Sequence, residues 1–265
     1  RPHASRHSRA AEHRRGRTRH LQQQQQTGAL YQGYGTHYVD LWLGSPVPQR
    51  QTVIVDTGSG STAFPCSGCA ECGDSYHTDG YFQEARSDTF RALACGECVQ
   101  GTCQADGACR LSMAYAEGSR WSAYEGTDLC YAGGPHDAAD DPATEAGNAT
   151  LVGVDPADAS DFAFDLAFGC QTSITGLFKT QRADGIMGME NGETAFWKQM
   201  FLKEAILRAE FSLCFSRSAH TEREGTGAGA MTLGGTAPGL HATPMVFAKN
   251  VAGSGFYVVR LKALF

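Results

Sequence analysis

No apolar run in this 265-residue sequence approaches the ~18–20 residues that a membrane-spanning helix requires. Charged side chains are sparse at 19%, whereas glycine is plentiful at 32 residues, a balance that suits strands and turns better than a helical bundle. An initiator Met and a signal-peptide pattern are both missing, and the sequence stops in mid-strand at Phe265. The expectation is a piece of a longer precursor, so its missing targeting signals exclude nothing, and any membrane anchor is expected only downstream. Basic residues are scarce in the body. Residues 1–26 hold seven Arg against one Glu, about +6, and with a total of −6 the remainder carries about −12. Such an acidic body is a poor nucleic-acid ligand and a good attractor of basic ones. At this length the chain could be one large β domain, or one lobe and part of another.

Cysteine is the exception to this economy. Ten are too many for an ordinary cytosolic enzyme of this size, and seven of them, Cys66, Cys69, Cys72, Cys95, Cys98, Cys103 and Cys109, share one stretch. Cys130, Cys170 and Cys214 complete the set. The spacings Cys66-x2-Cys69 and Cys95-x2-Cys98 resemble zinc ligands. The third cysteine at Cys72, and the scatter of Cys103 and Cys109, fit a four-ligand knuckle poorly. Disulfides in an oxidising secretory setting are therefore expected, with no metal and no cofactor. The sequon Asn148-Ala149-Thr150 points the same way, as a glycosylation acceptor.

Along the chain, residues 1–26 are rich in Arg and His and end in Gln22 to Gln26. With almost no apolar content they are expected to be disordered. Basic runs can bind nucleic acid, but ahead of an acidic β body this one reads as a pro-segment or linker. Tyr38 to Leu43 and Gln51 to Val55 alternate or run apolar like two strands of a hairpin around Gly44-Ser45-Pro46. Arg110 to Tyr115 and Trp121 to Leu129 form a second hairpin around Glu117-Gly118-Ser119. Residues 132–160 read as an acidic inserted loop. Phe162 to Phe168 reads as a strand closed by Gly169-Cys170. Thr194 is placed to cap a helix whose core side carries Phe196, Trp197, Met200 and Phe201. Phe211 to Phe215, Ala230 to Leu233 and Gly255 to Phe265 read as further strands.

Val53-Ile54-Val55-Asp56-Thr57-Gly58-Ser59-Gly60 is the stretch around which the rest is arranged. A continuous β-branched run indicates a strand buried on both faces, and Gly58 permits a turn that side chains would block. Asp56 then sits where buried strand becomes loop. A lone carboxylate there is costly unless hydroxyls and backbone N–H groups hold it, and Thr57 and Ser59 supply hydroxyls nearby. An ordinary turn after a strand would account for Asp-Thr-Gly alone. It accounts less well for the apolar lead and the trailing Ser59. In Ala183-Asp184-Gly185-Ile186-Met187-Gly188-Met189, small residues surround an apolar pair, as close backbone packing requires.

In order, Asp56-Thr57-Gly58-Ser59, Ala114-Tyr115-Ala116-Glu117-Gly118-Ser119, Ala183-Asp184-Gly185-Ile186-Met187-Gly188 and Met231-Thr232-Leu233-Gly234-Gly235 resemble the pepsin-like aspartic proteases. The cysteine-dense insert after Phe64-Pro65-Cys66 narrows the resemblance to their nepenthesin/plasmepsin V-like branch. It covers about Tyr31 to Phe265. The implied fold is all-β and bilobal, with a complete N-terminal catalytic lobe over 27–235 and the start of a truncated C-terminal lobe over 236–265. The implied activity is that of an endopeptidase in the secretory pathway (ER or Golgi lumen, vacuole or outside the cell). It would be made as a zymogen, work as a monomer on peptide and protein substrates, and bind no nucleic acid.

By the same resemblance Asp56 is one half of a catalytic pair, supported by Thr57, Gly58 and Ser59. Tyr115, Glu117, Gly118 and Ser119 belong to a flap that closes over substrate, and Cys170 pairs with Cys214. In this branch the flap glutamate contacts a substrate arginine, which would carry over to Glu117. Read plainly, Tyr115 is a packing aromatic and Glu117 a solvated turn residue. The sequence departs from the family twice. Pepsins carry a Trp seven residues after the catalytic Asp, bonded to the flap Tyr, and here that position is Ala63. The second Asp-Thr/Ser-Gly is absent and, by the family's spacing, is expected shortly after Phe265. Two rivals follow from that absence: a catalytically inactive pepsin-like binding or inhibitor protein, and a single-lobe protease that dimerises. The start of another lobe past Gly235 argues against the second.

Overall fold

The computed structural model describes residues 25–133, 161–216, 227–251, 253 and 255–263. The Asn148 sequon and nearly all of the acidic insertion lie outside the described residues, as do residues 1–24 of the basic segment. The strands are β1 Gln26–Gln32, β2 His37–Leu43, β3 Gln49–Asp56, β4 Ala63–Pro65, β5 Arg91–Ala92, β6 Thr102–Cys103, β7 Cys109–Ala114, β8 Arg120–Ala132, β9 Phe164–Thr175, β10 Gly185–Gly188, β11 Phe211–Phe215 and β12 Gly227–Leu233. Among the described residues one α-helix, α1, spans the seven residues Phe196–Leu202. The all-β expectation holds.

Among the described residues these strands make one twelve-stranded sheet in the order β11-β12-β1-β2-β3-β10-β4-β9-β8-β7-β6, with β5 on β8. An additional β2–β8 pairing, Leu43 opposite Cys130, closes β2-β3-β10-β4-β9-β8 into a ring. Ring closure leaves two apolar surfaces to fill, and β3 serves both. Val53 packs with Phe64, Phe168 and Met187 in one core, while Ile54 packs with Ala63, Trp121 and Ile186 in the other. A strand covered on both sides explains the unbroken apolar run. In the first core Phe64 stacks on Phe168 at 4.7 Å between centroids, and Phe82 meets both edge-on.

The central feature is β10. It runs parallel to β3, with Gly185 opposite Val53 and Gly188 opposite Asp56, and antiparallel to β4. Neither glycine leaves room for a side chain: a Cβ on Gly185 would lie 2.2 Å from the Ala63 carbonyl oxygen, and one on Gly188 2.3 Å from the Ser61 nitrogen. Asp184 fastens the strand at its start. Its Oδ2 accepts from the Thr52 N–H and hydroxyl, each at 2.6 Å, and its Oδ1 from the Asp79 N–H at 2.8 Å.

Several expectations are corrected. The strand from Phe162 does not close at Gly169-Cys170 but runs on to Thr175 as β9. Gly169 is there because a Cβ would approach those of Ala123 and Ala63 at 3.1 and 3.2 Å. Gln26 belongs to β1, pairing with Leu233, because its amide also reaches the Ala132 carbonyl. Thr194 does not cap α1 through its side chain; Ala195 holds the cap position, and the Thr194 carbonyl accepts from the Gln199 amide at 2.8 Å. Phe196, Trp197 and Met200 are buried as expected, and Phe201 is half-buried. Residues 255–263 form no strand, and no neighbouring strand pairs with them among the described residues.

The disulfide expectation is also revised. Eight cysteines pair as Cys66–Cys170, Cys69–Cys72, Cys95–Cys103 and Cys98–Cys109, while Cys130 and Cys214 are free. The Cys170–Cys214 bond does not form because β4 pairs parallel with β9, Phe64 opposite Cys170, which brings Cys66 to that sulfur. Cys214 sits on β11, at the other end of the strand order. Both zinc-like spacings are likewise taken up by disulfides. A bridge across 104 residues of sequence removes roughly 4–5 kcal/mol of unfolded-chain entropy in the loop-closure model.

Burial first, and then the neighbouring charge of Asp79, push the Asp184 carboxyl up to about 7 against the pull of its donors. A folded-state pKa raised above the ordinary 3.8 means the folded protein holds that proton more tightly. The stabilisation is full below the unfolded value and is lost as pH rises through about 7. Asn stays neutral at every pH, so the thermal midpoint of the wild type minus that of Asp184→Asn should fall steadily as pH rises from 4 to 7. A difference that instead rises with pH would mean that the three donors keep Asp184 ionised throughout.

Candidate active site

Strand β3 ends at Asp56, half-buried, and the chain turns at once into the loop that leads to β4. The Gly58 N–H donates to Asp56 Oδ1 at 2.9 Å, and the Ser59 hydroxyl to Oδ2 at 2.5 Å. Donors on both oxygens fix the orientation of the carboxylate. The loop is held from below as well, since the Asp56 carbonyl accepts from Met189 N–H at 2.8 Å and that of Ser59 from Glu190 N–H at 2.9 Å. Ser59 thus does what its place in the sequence suggests. Thr57 does not: it is exposed and makes no hydrogen bond to Asp56, and the backbone of Gly58 takes the second donor's place.

The β7–β8 hairpin carries Tyr115 to this carboxylate. The turn closes through Tyr115 N–H to the Ser119 carbonyl at 2.9 Å and Gly118 N–H to the Tyr115 carbonyl at 3.0 Å, with Gly118 at φ +101°. That left-handed conformation is why glycine stands at the tip. The Tyr115 ring meets Phe178 edge-on at 5.2 Å, and its hydroxyl accepts from Trp121 Nε1 at 3.3 Å. Burial pushes the phenol pKa up, hydrogen bonds with Trp121 and Ser59 pull it back, and the charges of Asp56 and Glu117 add to the rise. Trp121 therefore bonds Tyr115, and Ser59, next to the phenol, bonds Asp56.

Trp121 resolves the departure at Ala63. Ala63 is fully buried on β4 with the backbone of Gly185 pressed against it, which leaves no volume for an indole. The flap hairpin supplies one of its own: Trp121 lies on β8 opposite Met113, almost wholly buried. Sequence reasoning passed over it, although a Trp six residues beyond the flap Tyr on an alternating strand was a usable signal. Of the other flap residues, Glu117 and Gly118 are exposed at the tip. Ser119 is instead buried, and its hydroxyl accepts from Leu177 N–H at 2.9 Å, fastening the flap to the turn at Gly176–Lys179. Its side chain serves the scaffold, not the cleft.

Glu190 was also missed. It stands two residues past the partner of Asp56 on β10, and its carboxylate lies against Gly60, where a Cβ would come within 2.2 Å of Oε1. Burial, then the charge of Asp56, raise its pKa.

A buried strand ending in a carboxylate hydrogen-bonded on both oxygens, with a tyrosine hairpin above it and a glycine-flanked parallel strand behind, fits a pepsin-like all-β fold. The family model described as "Xylanase inhibitor N-terminal" matches residues 37–235, and the chain belongs to that family. It is similar to aspartic protease 5 of Toxoplasma gondii, at 30% identity over 238 residues, covering 82% of this chain and 21% of that protein. Plasmepsin V of Plasmodium falciparum is 27% identical over 189 residues, covering 69% of this chain and 28% of the relative. The Arabidopsis thaliana protein Aspartic Protease in Guard Cell 2 is 25% identical over 238 residues, covering 88% and 42%. The chain thus spans between about a fifth and two fifths of the length of these relatives.

The glycine requirement at the base of the site is open to test. Gly188→Ala must displace the Gly60–Ser61 backbone, at an overpacking cost of about 1–3 kcal/mol. Urea denaturation should show the loss as a lower midpoint with unchanged slope; an unshifted midpoint would mean the loop yields freely.

Proposed function

We propose that this chain is the Asp56-bearing part of an aspartic endopeptidase. The observation that carries the proposal is the Asp56 carboxylate, held on both oxygens by Gly58 and Ser59 beneath the Tyr115 flap. Peptide bonds resist neutral water, so a base must sharpen the nucleophile while an acid protonates the carbonyl oxygen. Two adjacent carboxylates cannot both ionise cheaply, so they share a proton and divide those roles. Asp56 supplies one. The sequence holds a single Asp-Thr/Ser-Gly motif, so the partner carboxylate comes from outside these residues, from a second lobe that residues 236–265 begin. Closing of the flap over an extended substrate excludes water and orders the nucleophile's surroundings. Four disulfides support folding in an oxidising, secretory compartment. No described helix is long and apolar enough to cross a membrane.

The family's description supports a second reading, a catalytically silent binding protein. One experiment separates the two. The full-length protein should cleave peptides at acid pH and be blocked by statine-type inhibitors. Asp56→Asn keeps the shape but removes the shared proton, and should lower kcat roughly 10²–10⁴-fold. Cleavage by the variant at the wild-type rate would remove Asp56 from the chemistry, and a wild type that binds proteins without cleaving them would establish the second reading.

Substrate choice follows from the flap tip. Glu117 is exposed there, on a body of about −12 charge, with only Gly118 between it and the buried Ser119. Covered by substrate, its carboxylate is suited to a bidentate pair with arginine, which lysine cannot imitate. Glu117→Gln removes the charge and keeps hydrogen bonding. The full-length variant should lose roughly ten- to a hundredfold in kcat/KM on an Arg-bearing peptide, the worth of a charge-assisted hydrogen bond. Its neutral analogue should be cleaved as before. Equal losses on both peptides would assign Glu117 to flap shape instead of substrate reading.

A further inference from the structure

The cysteine-dense segment between β4 and β7 does more than decorate the lobe. We infer that Gln100, within it, is a positioning residue that holds the loop carrying Asp56. Its Oε1 accepts from the Ser61 hydroxyl, and its Nε2 donates to the Gly60 and Thr194 carbonyls, each at 3.4 Å. Gly60 and Ser61 lie in the loop from Asp56 to β4, so one side chain ties that loop to the residue just before Ala195, which caps α1.

Gln100 can act as a brace only if it is itself fixed, and it is fixed twice. Glu125, 1% exposed on β8, accepts the backbone N–H groups of Val99 at 3.1 Å and Gln100 at 2.7 Å. A buried carboxylate needs such donors, so the contact locks both partners. The disulfides Cys95–Cys103 and Cys98–Cys109 then close the segment on either side of it. Gly101 admits the approach: a Cβ there would lie 2.9 Å from the Arg110 carbonyl oxygen and 3.0 Å from Glu125 Oε2. Glu125 shares β8 with Trp121, the partner of the flap tyrosine. One strand is therefore the reference for both halves of the site, through Trp121 for the flap and through Glu125 and Gln100 for the Asp56 loop.

The inference rests on the protease reading for its consequence but not for its geometry, and the test separates the two. In the full-length protein, Gln100→Met keeps the length without hydrogen bonds, and Gln100→Glu keeps the shape but cannot donate to Gly60 or Thr194. Amide hydrogen exchange over residues 57–62 should be about tenfold faster in both variants, with little change elsewhere, as one lost brace opens one local unit. On a peptide substrate kcat should fall by about the same factor with KM nearly unchanged, because the loop orients Asp56 and does not itself bind the chain. Unaltered exchange at 57–62, or exchange that rises evenly across the protein with a fall in thermal midpoint, overturns the inference. So does a local rise in exchange with kcat unchanged. If the wild type cleaves nothing while the local rise is present, the brace stands and the protease reading falls.

Discussion

The close approach of β10 to β3 is the constraint on which the rest depends. A parallel strand only four residues long inserts between β3 and β4, and it can do so because Gly185 and Gly188 put no side chain where Ala63 and Ser61 stand. Asp184 fastens its start with three donors, and backbone bonds from Met189 and Glu190 hold the carbonyls of Asp56 and Ser59 at its end. Asp56 is therefore aimed by a rigid backbone on one side and by its own turn on the other. Donors fixed by the backbone and by the turn keep the carboxylate in one orientation.

The same crowding decides which residues surround the site. With Gly185 against Ala63, no indole fits on β4, so the tyrosine of the flap takes its partner from its own hairpin at Trp121. Trp121 is itself packed in the core and paired with Ile174 of β9, so it ties the flap tyrosine to a fixed strand. The cysteine-dense segment fills the opposite flank, where Gln100 meets the loop that leads from Asp56 to β4. The segment joins the sheet through β5 on β8 and β6 on β7, outside the six strands of the ring.

Acid groups recur through this lobe in different environments. Asp56 is half-exposed and bonded on both oxygens, Asp184 is buried and held near neutral pKa, and Glu190 is raised by burial beside Asp56. Environment and not residue type sets their behaviour. At acid pH burying Asp184 costs little, since the protonated form is the cheaper one there.

What was legible in the sequence was what local chemistry dictates. The β-branched run before Asp56 announced a strand covered on both faces, the alternation around Glu117-Gly118-Ser119 a hairpin, and the glycines around Ile186-Met187 a close backbone contact. Each follows from side-chain size, branching and turn propensity over a few residues. Only the tertiary structure decided the partners. Cys170 joins Cys66 and not Cys214 because β4 lies beside β9. Gly58 replaces Thr57 as a donor because the turn aims the Gly58 N–H at Asp56 and leaves Thr57 exposed. Glu190 and Gln100 entered the site from a strand end and a loop whose placement no local pattern encodes. Pairings across 40 to 100 residues depend on strand order, on register and on the volume left between neighbouring backbones, and those quantities exist only once the ring of strands has closed.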